Sequence, residues 1–176
     1  MTYKKRGASV KDRICDAVVK LVSDNKKPYN QITIQEIVDE AGVCRNSFYR
    51  NFESLDDVFL YRFQNVAKQT GELLNNYEGD LITRVFYSFF ETTRNNRDFL
   101  LSFYMAIPNV YFDTFVKTIL YSNGITDKKV DTKHFYKSSC KAWVTVGLLT
   151  DWMKRGCDTS IDTIVAWFKQ WCNGLI

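Results

Sequence analysis

The segment from Thr33 to Phe52 restricts this chain more than any other. It reads Thr33-Ile34-Gln35-Glu36, then apolar Ile37 and Val38, then Ala41-Gly42-Val43 and Cys44-Arg45-Asn46-Ser47-Phe48-Tyr49-Arg50-Asn51-Phe52. Thr33 and Glu36 have the spacing of a capping box, in which hydroxyl and carboxylate satisfy each other's free amides at a helix start. Gly42 suits the left-handed backbone that turns a chain out of a helix. In the helix that follows, spanning about Cys44 to Asn51, Phe48 and the flanking Val43 and Phe52 point inward, while Arg45, Asn46, Ser47, Tyr49 and Arg50 stay outward. A capped first helix, a short glycine turn and a second helix with a packed inner face and a polar outer face are the requirements of a helix-turn-helix.

The outward set carries groups that read and grip DNA. Arginine pairs bidentately with guanine and asparagine with adenine. Serine and tyrosine hydroxyls suit phosphates, which fix position without reading sequence. The competing reading is a surface helix that happens to be polar. Charge adds weight to the first. Residues 1–52 hold 10 Lys and Arg against 6 Asp and Glu, whereas the remainder holds 14 of each, so the whole net charge of +4 lies in the first third. A basic module on a neutral body is the pattern of a nucleic-acid reader attached to something else.

Only 2 Pro and 8 Gly in 176 residues favour long helices over many-turned β structure. Helical spacing predicts segments near 9–25, 33–42, 44–51, 54–75, 80–95, 97–106, 108–122, 131–155 and 159–175. The expected fold is all-α with about nine helices: a three-helix helix-turn-helix domain at 1–53 and a helical ligand-binding and dimerisation bundle at 54–176. No apolar run reaches the ~18–20 residues that span a bilayer, and the start lacks the apolar stretch of a signal peptide, so a cytoplasmic location is expected. Five scattered cysteines without a CxxC pair, and a single histidine, His134, argue against a metal site or a disulfide framework. No nucleophile, phosphate-loop or dinucleotide motif is present, so neither an enzyme nor a cofactor is expected.

Ile32 to Ile37, Ala41-Gly42-Val43 and Arg45 to Phe52 resemble, in order and spacing, the N-terminal domain of TetR-family regulators. The resemblance covers about residues 9–60; the rest of the chain is similar in layout only. It implies a DNA-binding regulator with Thr33 on phosphate, Arg45, Asn46 and Ser47 facing bases, Tyr49 gripping phosphate and Arg50 on base or backbone. Lys4, Lys5 and Arg6 match the family's variable basic arm. Two positions depart from the pattern. Cys44 stands where Ser or Thr usually caps the recognition helix, and a thiol caps poorly. Leu55 stands where a phosphate-binding Lys is common. A thiol at a helix N-terminus also leaves a redox role open.

In the body, Phe63, Phe86, Phe90, Phe103, Tyr104 and Phe112 are candidates for the wall of an effector pocket for an apolar or aromatic molecule, against the alternative that such stripes are simply core. Ala142, Val146 and Leu149, with Ile161, Ile164, Phe168 and Trp171, form spaced apolar faces on the last two helices and are candidates for a homodimer interface built as a four-helix bundle. The partners expected are double-stranded DNA, a second copy and a small effector, with no membrane. The expected action is repression at a palindromic operator, relieved by the effector. The departures at Cys44 and Leu55 leave a protein-interaction module as the alternative.

Overall fold

The computed structural model describes residues 9–23, 27, 29–122, 124–125 and 131–174; of residues 82, 122 and 172–174 it describes the backbone only. The described residues form nine α-helices and two 3-10 turns: α1 (Val10–Ser23), a turn at Tyr29–Gln31, α2 (Ile34–Ala41), α3 (Arg45–Tyr49), α4 (Leu55–Leu73) running into a turn at Leu74–Asn76, α5 (Leu81–Asn95), α6 (Arg97–Ala106), α7 (Pro108–Ser122), α8 (Thr132–Lys154) and α9 (Ile161–Gly174). They include no strand. None of these helices is long and apolar enough to cross a membrane. The chain divides into two compact units, Met1–Asn65 and Val66–Ile176. That division falls inside α4, whose first half meets α1 through Cys15 Sγ to Val58 O (3.8 Å) and Lys11 over the Tyr61 ring (4.8 Å). The change in charge falls earlier, at 52/53.

Local chemistry sets the helix ends. Ser9 and Asp12 open α1 reciprocally, with Asp12 N donating to Ser9 Oγ (3.2 Å) and Ser9 N to Asp12 Oδ2 (3.3 Å). Ser54 and Asp57 do the same for α4. Asp80 accepts from Thr83 N (2.7 Å) at the head of α5, and Asp131 from His134 N (3.0 Å) at the head of α8. Pro108 opens α7, where its missing N–H costs nothing. Gly156 (φ 81) and Cys157 (φ 57) are left-handed and close α8, with Cys157 N donating to Trp152 O (2.9 Å).

The core of the first unit is Ile14, Val18, Leu21 and Val22 of α1, Ile37 and Val38 of α2, Phe48 of α3, Phe52, and Val58, Phe59 and Phe63 of α4. Cys15 is buried among them, and burial pushes its thiol pKa up to about 12. The second unit is built differently. One cluster joins Phe90 of α5 to Leu149 and Trp152 of α8 and to Ile164 and Val165 of α9. A second is aromatic: Tyr111 meets Phe103 (5.5 Å between centroids), Tyr104 (5.6 Å) and Phe115 (4.8 Å). Ser88, Thr92, Thr93, Ser102, Thr145 and Thr150 are also buried here. Four of them return their protons to carbonyls of their own helix, as Thr145 does to Lys141 O (2.7 Å).

Candidate nucleic-acid interface

The interface is built outward from the head of α2. Thr33 Oγ1 accepts from Glu36 N (3.3 Å) while Glu36 Oε2 accepts from Thr33 N (2.9 Å), so the expected capping box is formed. Thr33 Oγ1 also donates to Glu36 Oε2 (2.9 Å), so its proton is engaged in the unbound chain. Lys27 pairs with the same carboxylate through Oε1. The Lys27 ammonium and the Thr33 backbone and hydroxyl donors hold the Glu36 carboxyl down at about 2. At the other end of α2, Gly42 (φ 61, ψ 42) donates to Asp39 O, and Val43 N donates to Val38 O (2.9 Å). The left-handed turn that the glycine implied is therefore present, and α3 begins three residues on.

Helix α3 has one buried anchor, Phe48, which is 0% exposed. Its ring lies 6.0 Å from that of Phe52. Arg45, Asn46, Tyr49 and Arg50 are exposed and Ser47 is half-buried. Arg45 lies along Tyr49, with Nη2 at 3.4 Å from the phenol oxygen and the guanidinium carbon 5.8 Å from the ring centre. Asn51 Nδ2 donates to Ser47 O (2.6 Å) and ties the last turn. At the helix start, Cys44 makes no side-chain cap. Its sulfur sits 3.1 Å from Ser47 Oγ, and hydrogen bonds from the Ser47 side chain and backbone lower the thiol pKa. Leu55 is half-buried at the first position of α4, so no cation stands there. An open depression beside α3 is lined by Tyr49, Arg50, Asn51, Phe52, Glu53 and Asp57.

Thus α2 and α3 carry Thr33, Arg45, Asn46, Ser47, Tyr49 and Arg50 on one short stretch. Lys4, Lys5 and Arg6 lie outside the described residues. Two basic side chains of α1 went unnoticed in the sequence. Arg13 Nη2 donates to Ala41 O (2.6 Å) and Gly42 O (2.7 Å). Lys11 places its ammonium 4.8 Å from the Tyr61 ring centre and 5.6 Å from that of Phe52. No spacing rule connects α1 to a turn 28 residues further along.

The six rings expected to share one wall do not share one cluster. Phe103, Tyr104 and Phe112 gather around Tyr111, and Phe112 stacks on Trp143 (5.9 Å). Phe86 instead meets Phe168 (4.3 Å) and Phe90 meets Trp152 (5.1 Å). Phe63 is a buried residue of the first unit. The apolar faces expected to cross a dimer are largely covered within the single chain. Ala142, Val146, Leu149, Ile164 and Phe168 are all at most 5% exposed within the single chain, and Ile161 packs against the Phe90 cluster. These faces cover their own core and have little surface left for a partner. Of the seven residues only Trp171 is exposed. The other exposed tryptophans of these helices are Trp143 and Trp167. Among the described residues no group of His, Cys, Asp and Glu could hold a metal ion.

A buried anchor, a left-handed glycine turn and an outward row of Arg, Asn, Ser and Tyr define a helix-turn-helix of the DNA-binding kind. The sequence profile of bacterial regulatory proteins of the tetR family matches residues 25–61. Residues 25–61 thus carry the sequence pattern of that family's N-terminal domain, and the chain as a whole shares an all-helical fold with the solved regulators below. The fatty acid degradation regulator FadR of Bacillus halodurans superposes with a TM-score of 0.63 at 16% identity, covering 94% of this chain and 95% of its own. NalD of Pseudomonas aeruginosa, the secondary repressor of the MexAB-OprM multidrug efflux pump, gives 0.59 at 16% identity over 89% and 91%. FadR of Bacillus subtilis, solved with stearoyl-CoA, gives 0.55 at 14% identity over 88% and 92%. The search of curated proteins finds no match.

Proposed function

We propose that this protein is a homodimeric transcriptional repressor that binds a palindromic operator and leaves it when a small apolar or aromatic effector occupies the second unit. The observation that carries the reading is the build of α3. Buried Phe48 fixes the helix, and Arg45 and Asn46 stand exposed at its front. In this reading residues 1–53 bind DNA and residues 54–176 bind the effector and the second copy. Arg45, Asn46 and Ser47 face bases, Tyr49 and Thr33 hold phosphate, Arg50 meets base or backbone, and Lys4, Lys5 and Arg6 reach an adjacent groove. To meet phosphate, the Thr33 hydroxyl gives up its bond to Glu36. For base contact, Arg45 leaves Tyr49.

A two-fold dimer presents two recognition helices to two half-sites. Exposed Trp143 (52%), Trp167 (61%) and Trp171 (38%) on α8 and α9 support a second copy as partner, since aromatic side chains are enriched at such interfaces. The rings around Tyr111 support an apolar or aromatic effector. FadR of Bacillus subtilis was solved with stearoyl-CoA, which carries a long acyl chain, and this supports an effector with an apolar part. An effector acts only through its differential affinity for the DNA-binding and free states. The deciding experiment selects duplexes from a random pool with the full chain. A palindrome is the expected result, bound with a log–log salt slope near −7 if the dimer neutralises about 8 phosphates. Enrichment of no duplex, or binding indifferent to salt, sinks the reading.

A further inference from the structure

We infer that Arg13 is a positioning residue for DNA recognition: from α1 it braces the α2–α3 turn and so sets the pose of the recognition helix. Arg13 Nη2 reaches two consecutive carbonyls, Ala41 O at 2.6 Å and Gly42 O at 2.7 Å. Those oxygens lie at the C-terminal end of α2, where carbonyls lack helical partners and the helix dipole favours a cation. The turn's own bonds go elsewhere, from Gly42 and Val43 to Asp39 and Val38. Arg13 therefore takes carbonyls that the turn leaves over. The fit is close, since a Cβ placed on Gly42 would stand 2.9 Å from Arg13 Nη2.

The brace matters because α3 holds itself weakly. It has only five residues, and Cys44 gives it no side-chain cap. Phe48 anchors its middle, while Arg45, Asn46 and Ser47 sit at the end next to the turn. A bidentate base contact tolerates displacement of about 0.5 Å. A turn tied to α1 by a charge-assisted pair of bonds supplies that rigidity. The role presupposes that α3 reads DNA, and Arg13 itself need touch neither base nor phosphate.

The test uses the full chain and the duplex that the wild type enriches from a random pool. Arg13→Ala is expected to weaken binding to that duplex about tenfold, the order of one lost base contact, and to weaken an unrelated duplex far less. The salt slope should stay unchanged, and Arg13→Lys, which keeps a donor cation, should recover part of the loss. Gly42→Asn tolerates the left-handed backbone but places a Cβ against the guanidinium. It is expected to show the same loss of discrimination, and adding Arg13→Ala to it should cost little more. These variants keep the test decisive should Arg13→Ala fold poorly. Unchanged discrimination in Arg13→Ala and Gly42→Asn overturns the inference. So does a salt slope reduced by about 1 per half-site, which would make Arg13 a phosphate contact. If the wild type enriches no duplex, the DNA-binding reading falls first and the brace with it.

Discussion

The two units differ in what most secures their helices. In the first, α2 and α3 are short and the ends of α2 are tied. Thr33 and Glu36 lock the head of α2, Gly42 turns its tail, and Arg13 takes the carbonyls left over. The core beneath is mostly aliphatic, with Phe48, Phe52, Phe59 and Phe63 as its rings. In the second, helices run to 23 residues and, besides caps such as Asp80 and Asp131, are held extensively through their sides. Rings meet edge to face around Tyr111, and hydroxyls such as Ser102 and Thr150 are carried into the interior. The first arrangement fixes a surface, which is what reading DNA requires. The second places its chemistry inside, where a small molecule would have to be met. A substitution at an end or an exposed face should therefore speak in the first unit, and a substitution in the interior in both.

The largest effect expected is that of Phe48→Ala. Emptying a fully buried ring site costs about 3–5 kcal/mol. Phe48 is the one fully buried side chain of α3, so DNA binding should vanish along with a large drop in the denaturation midpoint. A variant that still binds its operator would show that the recognition helix is held by its ends alone. Arg45→Ala comes next and leaves the fold alone. Among the described residues its exposed guanidinium rests only on Tyr49, so stability should hardly move. Operator affinity should fall by roughly 1–3 kcal/mol, with preference relaxed at one base position. Equal weakening on every sequence would remove Arg45 from the base-reading set.

The same contrast explains what the sequence discloses. Helix ends are written in residues three or four apart, so Thr33 with Glu36, Gly42, Ser54 with Asp57, and Pro108 could each be read locally. The outward row on α3 could be read for the same reason. Contacts between distant helices leave no such mark. Spacing shows that Ala142, Val146 and Leu149 share a face, but the same period serves a face turned to its own core and one turned to a partner. The structure turns them inward. Spacing likewise puts Phe86, Phe90, Phe103 and Tyr104 on apolar stripes without saying that α9 takes the first and α7 the last two. Arg13 was invisible on both counts, since it is polar, exposed and 28 residues from its acceptor.

Two smaller predictions set interior against end. Thr92 Oγ1 is buried without a hydrogen-bond partner among the described residues. An unsatisfied buried hydroxyl costs about 1–3 kcal/mol. Thr92→Val keeps the shape and removes the hydroxyl, so the denaturation midpoint should rise by part of that amount. A fall of similar size would mean that the hydroxyl has a partner in solution. Cys44→Ser restores to α3 a side chain that caps well. It should add up to about 1 kcal/mol, the ordinary worth of an N-cap. If stability is unchanged, the helix start is already secured by the turn behind it.

The smallest effect belongs to Glu36, because its carboxylate is exposed. Its pKa of about 2 lies below the usual carboxylate range, held there first by Lys27 and then by the Thr33 donors. A carboxyl that is more acidic in the folded chain stabilises the fold wherever it is ionised in both states. That contribution is complete above about pH 4.5 and disappears as pH falls to about 2, where the folded group is itself protonated. Melting curves of the wild type and Glu36→Gln should thus differ at neutral pH and converge toward pH 2. Screening reduces the difference, so added salt should shrink the part due to Lys27 and leave the part due to the Thr33 amide. Curves that remain parallel down to pH 2 would mean that the carboxylate does not hold the head of α2, and that the first unit, like the second, is secured chiefly by its sides.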